Sequence, residues 1–197
     1  QKIDAIFGFF SAKKKISGSG DPFGIRRITI SIIRILIENN LELDLYRLLQ
    51  HCQEIYKKQN LYFLEDISII QSFFNKRIEI FLTENGFNQE IIKSSLKVDS
   101  FNPKVISENI KVLQKFLDSE SGKFFLKAFK RLNSIVEEVH DIQDIDESLL
   151  QQKEEISLYK SIKIVKEKNK IFHKTIDEDI YFKISNQIDH FLDNVMV

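Results

Sequence analysis

The spacing of the apolar residues is the feature that most constrains how this chain can fold. Over most of the sequence they recur at i, i+3, i+4 and i+7, in segments much longer than a typical strand. Isoleucine and phenylalanine are frequent, so residue propensity alone would favour β-strands. Only six glycines and two prolines interrupt the 197 residues, which leaves room for long helices. The sequence therefore predicts an all-α protein, a bundle of about eight helices.

Capping residues and the ends of the apolar pattern place the individual helices. Asn88 and Asp146 are expected N-caps, Asn102 precedes a first-turn proline, and Gly86 is an expected C-terminal cap. The start of the chain, residues 1–10, is predicted to be the tail of a helix, and a loop follows over 11–20. The later helices are predicted over residues 22–38, 42–58, 62–84, 88–96, 103–117, 122–139, 147–168 and 176–192.

The stretch from residue 18 to residue 27 predicts a glycine-containing loop followed by a helix start; it reads Gly-Ser-Gly-Asp-Pro-Phe-Gly-Ile-Arg-Arg. Asp21 is the expected N-cap, and Pro22 is the expected first helical residue because its fixed φ suits a helix. Two interpretations are open for this stretch: a grip on a phosphate backbone, or an ordinary helix start with solvated charges. The cations available for the first are Lys13, Lys14, Lys15, Arg26 and Arg27.

A second group of cations lies on the helix predicted over residues 122–139. Lys127, Lys130 and Arg131 are spaced i, i+3 and i+4, so they share one face of the helix and suit contact with phosphates. The opposite face is expected to point inward and consists of Phe125, Phe129, Leu132 and Val136. Recognition of unpaired bases needs exposed aromatic rings. The candidate rings are Phe87, Tyr159 and Tyr181.

The composition argues against RNA binding by overall charge and against a catalytic or metal-binding site in this chain. The 29 basic and 29 acidic residues give no net charge, so any RNA contact must come from local patches. Cys52 stands alone on an apolar helix face and is expected in the core, and residues 18–20 lack the ending of a P-loop. Neither a metal site nor a catalytic residue is predicted, because the four histidines are far apart in the sequence; they are His51, His140, His173 and His190.

The sequence also argues against a membrane location. The longest apolar run, residues 28–37, is too short to span a bilayer and contains Arg34. No secretory signal pattern is present, and a single cysteine cannot form an intrachain disulfide. A cytoplasmic protein without membrane contact is therefore predicted.

Several segments match one family in order along the whole chain. They cover residues 2–10, 18–27, 41–45, 85–88, 91–92, 128–135 and 191–197. Together they resemble the β subunit of the bacterial, two-subunit type of glycyl-tRNA synthetase. Two departures occur in the loop: Gly20 stands where the family has lysine, and Gly24 stands where it has alanine. If Gly24 lies in the first helical turn, it costs roughly 0.5–1 kcal/mol of helix propensity.

The resemblance implies two parts. Residues 1–58 would be the C-terminal end of an HD-like helical domain with a connector. Residues 59–197 would be a helical bundle similar to the anticodon-binding domain of arginyl-tRNA synthetase, without the last helix of the family. An unpaired apolar surface is then expected near Val195, Met196 and Val197.

The resemblance also implies a function. The family joins glycine to its tRNA with ATP as an α₂β₂ enzyme, in which the α subunit activates glycine and the β subunit contributes tRNA binding. This region would hold glycine tRNA and would bind no cofactor, and its partners would be that tRNA and the α subunit rather than DNA or a membrane. Two alternatives are a scaffold that joins the α and β subunits without touching tRNA, and a remnant of an HD-type hydrolase.

Overall fold

The computed structural model describes residues 1–12, 20–21, 23–96, 101–135, 145–169 and 176–195, and in these ranges all regular structure is helical. The all-α prediction is confirmed. The α-helices of the described residues are α1 (Lys2–Ser11), α2 (Ile25–Glu38), α3 (Leu45–Lys58), α4 (Ser68–Glu84), α5 (Gln89–Ser95), α6 (Pro103–Asp118), α7 (Glu120–Ile135), α8 (Lys153–Asn169) and α9 (Glu178–Asn194). A short 3₁₀ helix covers Glu147–Leu149.

Three of the predicted caps are present. The Asn88 carboxamide oxygen accepts from the backbone N–H groups of the first turn of α5. Asn102 does the same for α6, through the N–H of Lys104 at 3.2 Å. Gly86 follows α4 with a φ of 87°, and the Phe87 N–H returns to the Leu82 carbonyl at 3.1 Å, the long hydrogen bond of a Schellman motif. Local side-chain chemistry therefore sets these helix ends.

The start of α2 differs from the prediction. The helix begins at Ile25 rather than at residue 22, and Asp21 is not its N-cap. Instead the Asp21 carbonyl accepts from the Gly24 N–H at 2.9 Å, so a turn precedes the helix. Gly24 has a φ of 65° in the left-handed region, where glycine carries no Cβ penalty. The expected loss of helix propensity at Gly24 was therefore wrong, because this residue lies outside the helix.

The long helix predicted over residues 147–168 is divided. Asp146 accepts from the Ser148 N–H at 2.9 Å and closes only the 3₁₀ helix. α8 begins later because the Glu155 carboxylate accepts from the N–H groups of Gln151 and Gln152, as the glutamate of a capping box does. A carboxylate three residues into α8 thus provides the start signal that sequence inspection assigned to Asp146.

The described residues form two compact units, Gln1–Lys111 and Val112–Val197. In the first, α1 packs against α2, α3 and α4, and α4 also packs against α2 and α5. Its core includes Phe7, Ile33, Leu49, Phe74 and Ile110, which are 1% exposed or less. The predicted boundary between residues 58 and 59 falls inside this unit, because α4 shares a core with the helices before it. The assignment of the two parts to an HD-like and an anticodon-binding domain stays a prediction.

The second unit has a smaller core. α9 packs against α7 and α8, and the buried residues are Ala128, Ile184, Ile188 and Leu192. α7 begins where the Ser119 hydroxyl accepts from the Gly122 N–H at 3.1 Å. A Cβ on Gly122 would lie 1.9 Å from the Phe116 carbonyl oxygen, so only glycine permits this close backbone approach. Met196 and Val197, where an unpaired apolar surface was expected, lie outside the described residues.

Candidate nucleic-acid interface

The two arginines expected to contact phosphate lie in the first turn of α2. Arg27 is 81% exposed, and its Nε lies 3.9 Å from the Asp21 carboxylate. The Arg27 N–H also donates to this carboxylate at 3.5 Å. Arg26 is half-buried. Lys13, Lys14 and Lys15 lie outside the described residues, so the structure does not test whether they join the arginines.

Sequence inspection missed Arg77, a third arginine, which lies on α4, a helix that packs against α2. Its guanidinium carbon lies 3.6 Å from the centre of the Phe73 ring, and its Nη1 donates to the Phe73 carbonyl at 3.2 Å. Burial lowers the pKa of Arg77, the positive charge of Arg26 lowers it further, and the negative charge of Asp21 raises it. The i, i+4 spacing of Phe73 and Arg77 was visible in the sequence, but their proximity to α2 comes only from the packing of α4.

The three cations predicted on α7 have different surroundings. Lys127 and Lys130 are exposed and form no ion pair with any described residue. Arg131 instead pairs with Asp189 at 3.2 Å and with Asp193, both on α9. The hydrogen bond to Asp193 is the main cause that raises the pKa of Arg131, and burial acts in the opposite direction. Arg131 thus connects two helices, while the lysines stay available to a ligand.

The aromatic rings available to unpaired bases differ from those predicted. Phe87 packs against the core of the first unit, and Tyr181 packs between Phe116 and Phe125. In the second unit the exposed rings among the described residues are Phe129, 48% exposed, and Phe182, 47% exposed. The expectation that Phe129 points inward was wrong, because Ala128 takes the buried position on α7.

Tyr159 lies in a small polar group. Its hydroxyl donates to the Glu147 carboxylate at 2.9 Å, and Lys163 donates to the same oxygen at 3.1 Å. The hydrogen bond from Lys163 is the largest cause that lowers the pKa of Glu147, and the hydrogen bond from Tyr159 is the second. The Tyr159 side chain is half-buried in this arrangement, so its ring is less accessible than those of Phe129 and Phe182.

The described residues contain no group of three or more histidine, cysteine, aspartate or glutamate side chains placed to hold a metal ion. His51 approaches Glu54 at 3.7 Å and His190 is exposed, whereas His140 and His173 lie in ranges that are not described. Cys52 is half-buried against the core of the first unit, and burial raises the pKa of its thiol. Among the helices described, none is long and apolar enough to cross a bilayer.

Comparison with known proteins gives consistent matches. Residues 1–97 match the family model described as glycyl-tRNA synthetase beta subunit. The glycine–tRNA ligase beta subunit of Persephonella marina is 32% identical over 100% of this chain and 30% of the relative. That of Rickettsia canadensis is 35% identical over 68% of this chain and 20% of the relative, and that of Clostridioides difficile is 28% identical over 100% and 29%. The chain thus spans less than a third of the length of these curated relatives.

Proposed function

The chain belongs to the glycyl-tRNA synthetase β-subunit family, and from this premise we propose that it is the tRNA-binding C-terminal region of a glycine–tRNA ligase β subunit. It holds glycine tRNA while the tRNA is charged with glycine in an ATP-dependent reaction carried out with the α subunit. The whole enzyme is then an α₂β₂ assembly in the cytoplasm. The observation that carries this proposal is the similarity of the entire chain to glycine–tRNA ligase β subunits.

The exposed cations support a role in holding RNA. Lys127 and Lys130 are exposed on α7, and Arg27 is exposed in the first turn of α2. The net charge of the chain is zero, so attraction to RNA depends on such local groups rather than on the whole surface. Each phosphate neutralised by a lysine or arginine makes the logarithm of the binding constant fall more steeply with salt, by about 0.7–0.9 per decade.

In this proposal the region contributes to charging by position. Contacts far from the reacting atoms supply binding energy that places the acceptor end of the tRNA at a distant active site. Loss of such contacts would lower the rate of charging without changing the chemistry of glycine activation. ATP and glycine are accordingly handled elsewhere in the assembly.

A second candidate function is subunit assembly without direct tRNA contact. The first unit has an apolar groove of about 570 Å³ beside α1, α2 and α3, and its lining includes the exposed side chains of Ile35, Leu41 and Leu43. A surface of this kind suits a protein partner, here the α subunit. This alternative predicts that changes to the cations leave tRNA binding unaltered and that changes in the groove weaken assembly.

The test is a double substitution on α7, Lys127→Glu with Lys130→Glu, in the full-length β subunit assembled with its α subunit. We expect weaker binding of glycine tRNA and a shallower salt dependence, because two phosphate contacts become repulsive. Arg131 is left intact, since its removal would also disturb the contact of α7 with α9. Filter binding at several salt concentrations gives the affinity, and footprinting gives the protected nucleotides.

The matched control is Lys111→Glu with Lys115→Glu, which makes the same charge change on the exposed side of α6. Helicity and subunit assembly should be unchanged in both double variants. Equal tRNA affinity for wild type and the α7 variant would reject the role of these lysines. An enzyme whose footprint does not change when residues 1–197 are removed would reject the proposed function.

A further inference from the structure

Three arginines and one carboxylate lie at the start of α2 and on α4, two helices that pack against each other. Arg26 and Arg27 come from α2, Arg77 comes from α4, and Asp21 precedes α2. We propose that this group, the arginine cluster, binds a phosphate of the RNA backbone and that Arg77 is one of its contacting residues. The inference rests on the proposed function, because the phosphate would belong to the bound tRNA.

Arg77 is held in place before any ligand arrives. Its guanidinium stacks on the Phe73 ring at 3.6 Å, and its Nη1 donates to the Phe73 carbonyl at 3.2 Å. Phe73 is itself packed edge-on against Phe10, with ring centres 5.2 Å apart. A guanidinium stacked on a fixed ring loses little further side-chain entropy when it binds. The fork of N–H donors that Arg77 keeps is therefore well prepared for the oxygens of a phosphate.

The charges of the cluster favour an anion. Of its four ionisable groups three are positive, and the Asp21 carboxylate is engaged by the side chain and the backbone of Arg27. The positive charge of Arg26 lowers the pKa of Arg77, so the two guanidinium groups lie within electrostatic reach of each other. Half-buried like charges repel more strongly than exposed ones because water screens them less. A phosphate between them would relieve this repulsion.

Two sources of phosphate share this chemistry: the RNA backbone and free inorganic phosphate. The RNA backbone is the source to which we commit, because Arg27 is 81% exposed and a long polyanion can contact it together with the half-buried arginines. Free phosphate is compact, so it would need only the two half-buried arginines, Arg26 and Arg77. The two sources therefore differ in whether Arg27 contributes.

The experiment uses full-length β subunit assembled with its α subunit and glycine tRNA as the probe. Arg77→Ala should weaken tRNA binding about tenfold, the effect of losing one charge-assisted contact. It should also reduce the slope of log K against log salt by about 0.7–0.9. The matched control is Arg34→Ala, which removes an exposed α2 arginine paired with Glu38 at 3.3 Å and should change neither quantity.

Circular dichroism and assembly with the α subunit establish that the variants are folded. If Arg77→Ala does not fold, Arg26→Ala replaces it, because that change leaves the stack of Arg77 on Phe73 in place. A folded variant at either position that keeps the wild-type slope overturns the inference. Inorganic phosphate is titrated in parallel. If phosphate protects the wild type against unfolding while Arg77→Ala keeps the wild-type slope of log K for tRNA against log salt, the inference is also overturned.

The design separates this inference from the proposed function. If the α7 variant Lys127→Glu with Lys130→Glu loses tRNA affinity while Arg77→Ala does not, only the arginine cluster is rejected. If wild type itself shows no salt-dependent binding of glycine tRNA, the proposed function fails first. A loss in both variants, with the Arg34→Ala control unchanged, supports both.

Discussion

The two compact units place an arginine in opposite surroundings. In the first unit, Arg77 lies on the ring of Phe73, against residues of a large apolar core. In the second, Arg131 lies between the carboxylates of Asp189 and Asp193 on a neighbouring helix. An aromatic ring supports a guanidinium without using its in-plane N–H donors, whereas two carboxylates occupy them. One arginine can therefore keep N–H donors for a ligand, while another commits its donors to the packing of two helices.

The different surroundings of Arg77 and Arg131 accompany a difference between the cores of the two units. Unit one buries large side chains from α1 to α6, so apolar packing holds its helices together. Unit two buries Ala128, Ile184, Ile188 and Leu192 with a few half-buried neighbours. There the ion pairs of Arg131 and the close approach at Gly122 supplement a small core.

The largest expected effect tests the core of the first unit. Phe74 is 1% exposed and meets Phe101 edge-on at 5.5 Å, so Phe74→Ala should lower the free energy of unfolding by about 3–5 kcal/mol. Hydrogen exchange of the full-length β subunit, followed by mass spectrometry, should show lost protection in α4 and its neighbours. The control is Phe23→Ala, at a 59% exposed ring. Equal effects of the two changes would contradict the view that apolar packing stabilises this unit.

A smaller effect is expected from Gly122→Ala in the second unit. The new Cβ would lie 1.9 Å from a backbone oxygen of the preceding helix, so the backbone must shift. We expect a loss of about 1–3 kcal/mol, as for other overpacked sites, seen as faster exchange of the amides of α7. Gly86→Ala makes a useful comparison, because it meets no atom within 4 Å and is strained only by its φ of 87°. Undiminished protection in α7 would show that the junction is looser than its geometry implies.

The smallest effect is expected from Arg131→Gln, which removes an exposed ion-pair network. The unfolding temperature should fall slightly at low salt, and the difference from wild type should shrink as salt screens the pairs. Thermal melts at two salt concentrations measure this change, with Lys130→Gln as the neighbouring control that pairs with no described residue. A difference that does not depend on salt would mean that Arg131 acts by packing instead.

Sequence inspection succeeded where neighbouring residues decide the outcome. The helical class, the Asn88 and Asn102 caps and the turn at Gly86 each depend on a few adjacent positions, and each is present. It failed where two local signals compete. Asp21 resembles an N-cap, but the left-handed Gly24 ends the turn first and α2 starts at Ile25.

The candidate interface was only partly accessible from the sequence. Lys127, Lys130 and Arg131 share a helix face by spacing alone, yet spacing does not show that Asp189 and Asp193 approach Arg131 from 58 and 62 residues away. Arg77 lies 50 residues or more from Asp21, Arg26 and Arg27, so nothing in its neighbourhood marked it. The exposure of Phe129 likewise depends on which face of α7 meets α9.

The sequence by itself determined the all-helical class, the C-terminal ends of most helices and the family, because periodicity, capping and ordered motifs are written in adjacent residues. Tertiary structure alone decided which cations are free and which are paired, since that depends on helices far apart in the chain packing side by side. The contrast between Arg77 and Arg131 has this origin. Each arginine owes its surroundings to a partner that folding, not sequence proximity, brings within reach.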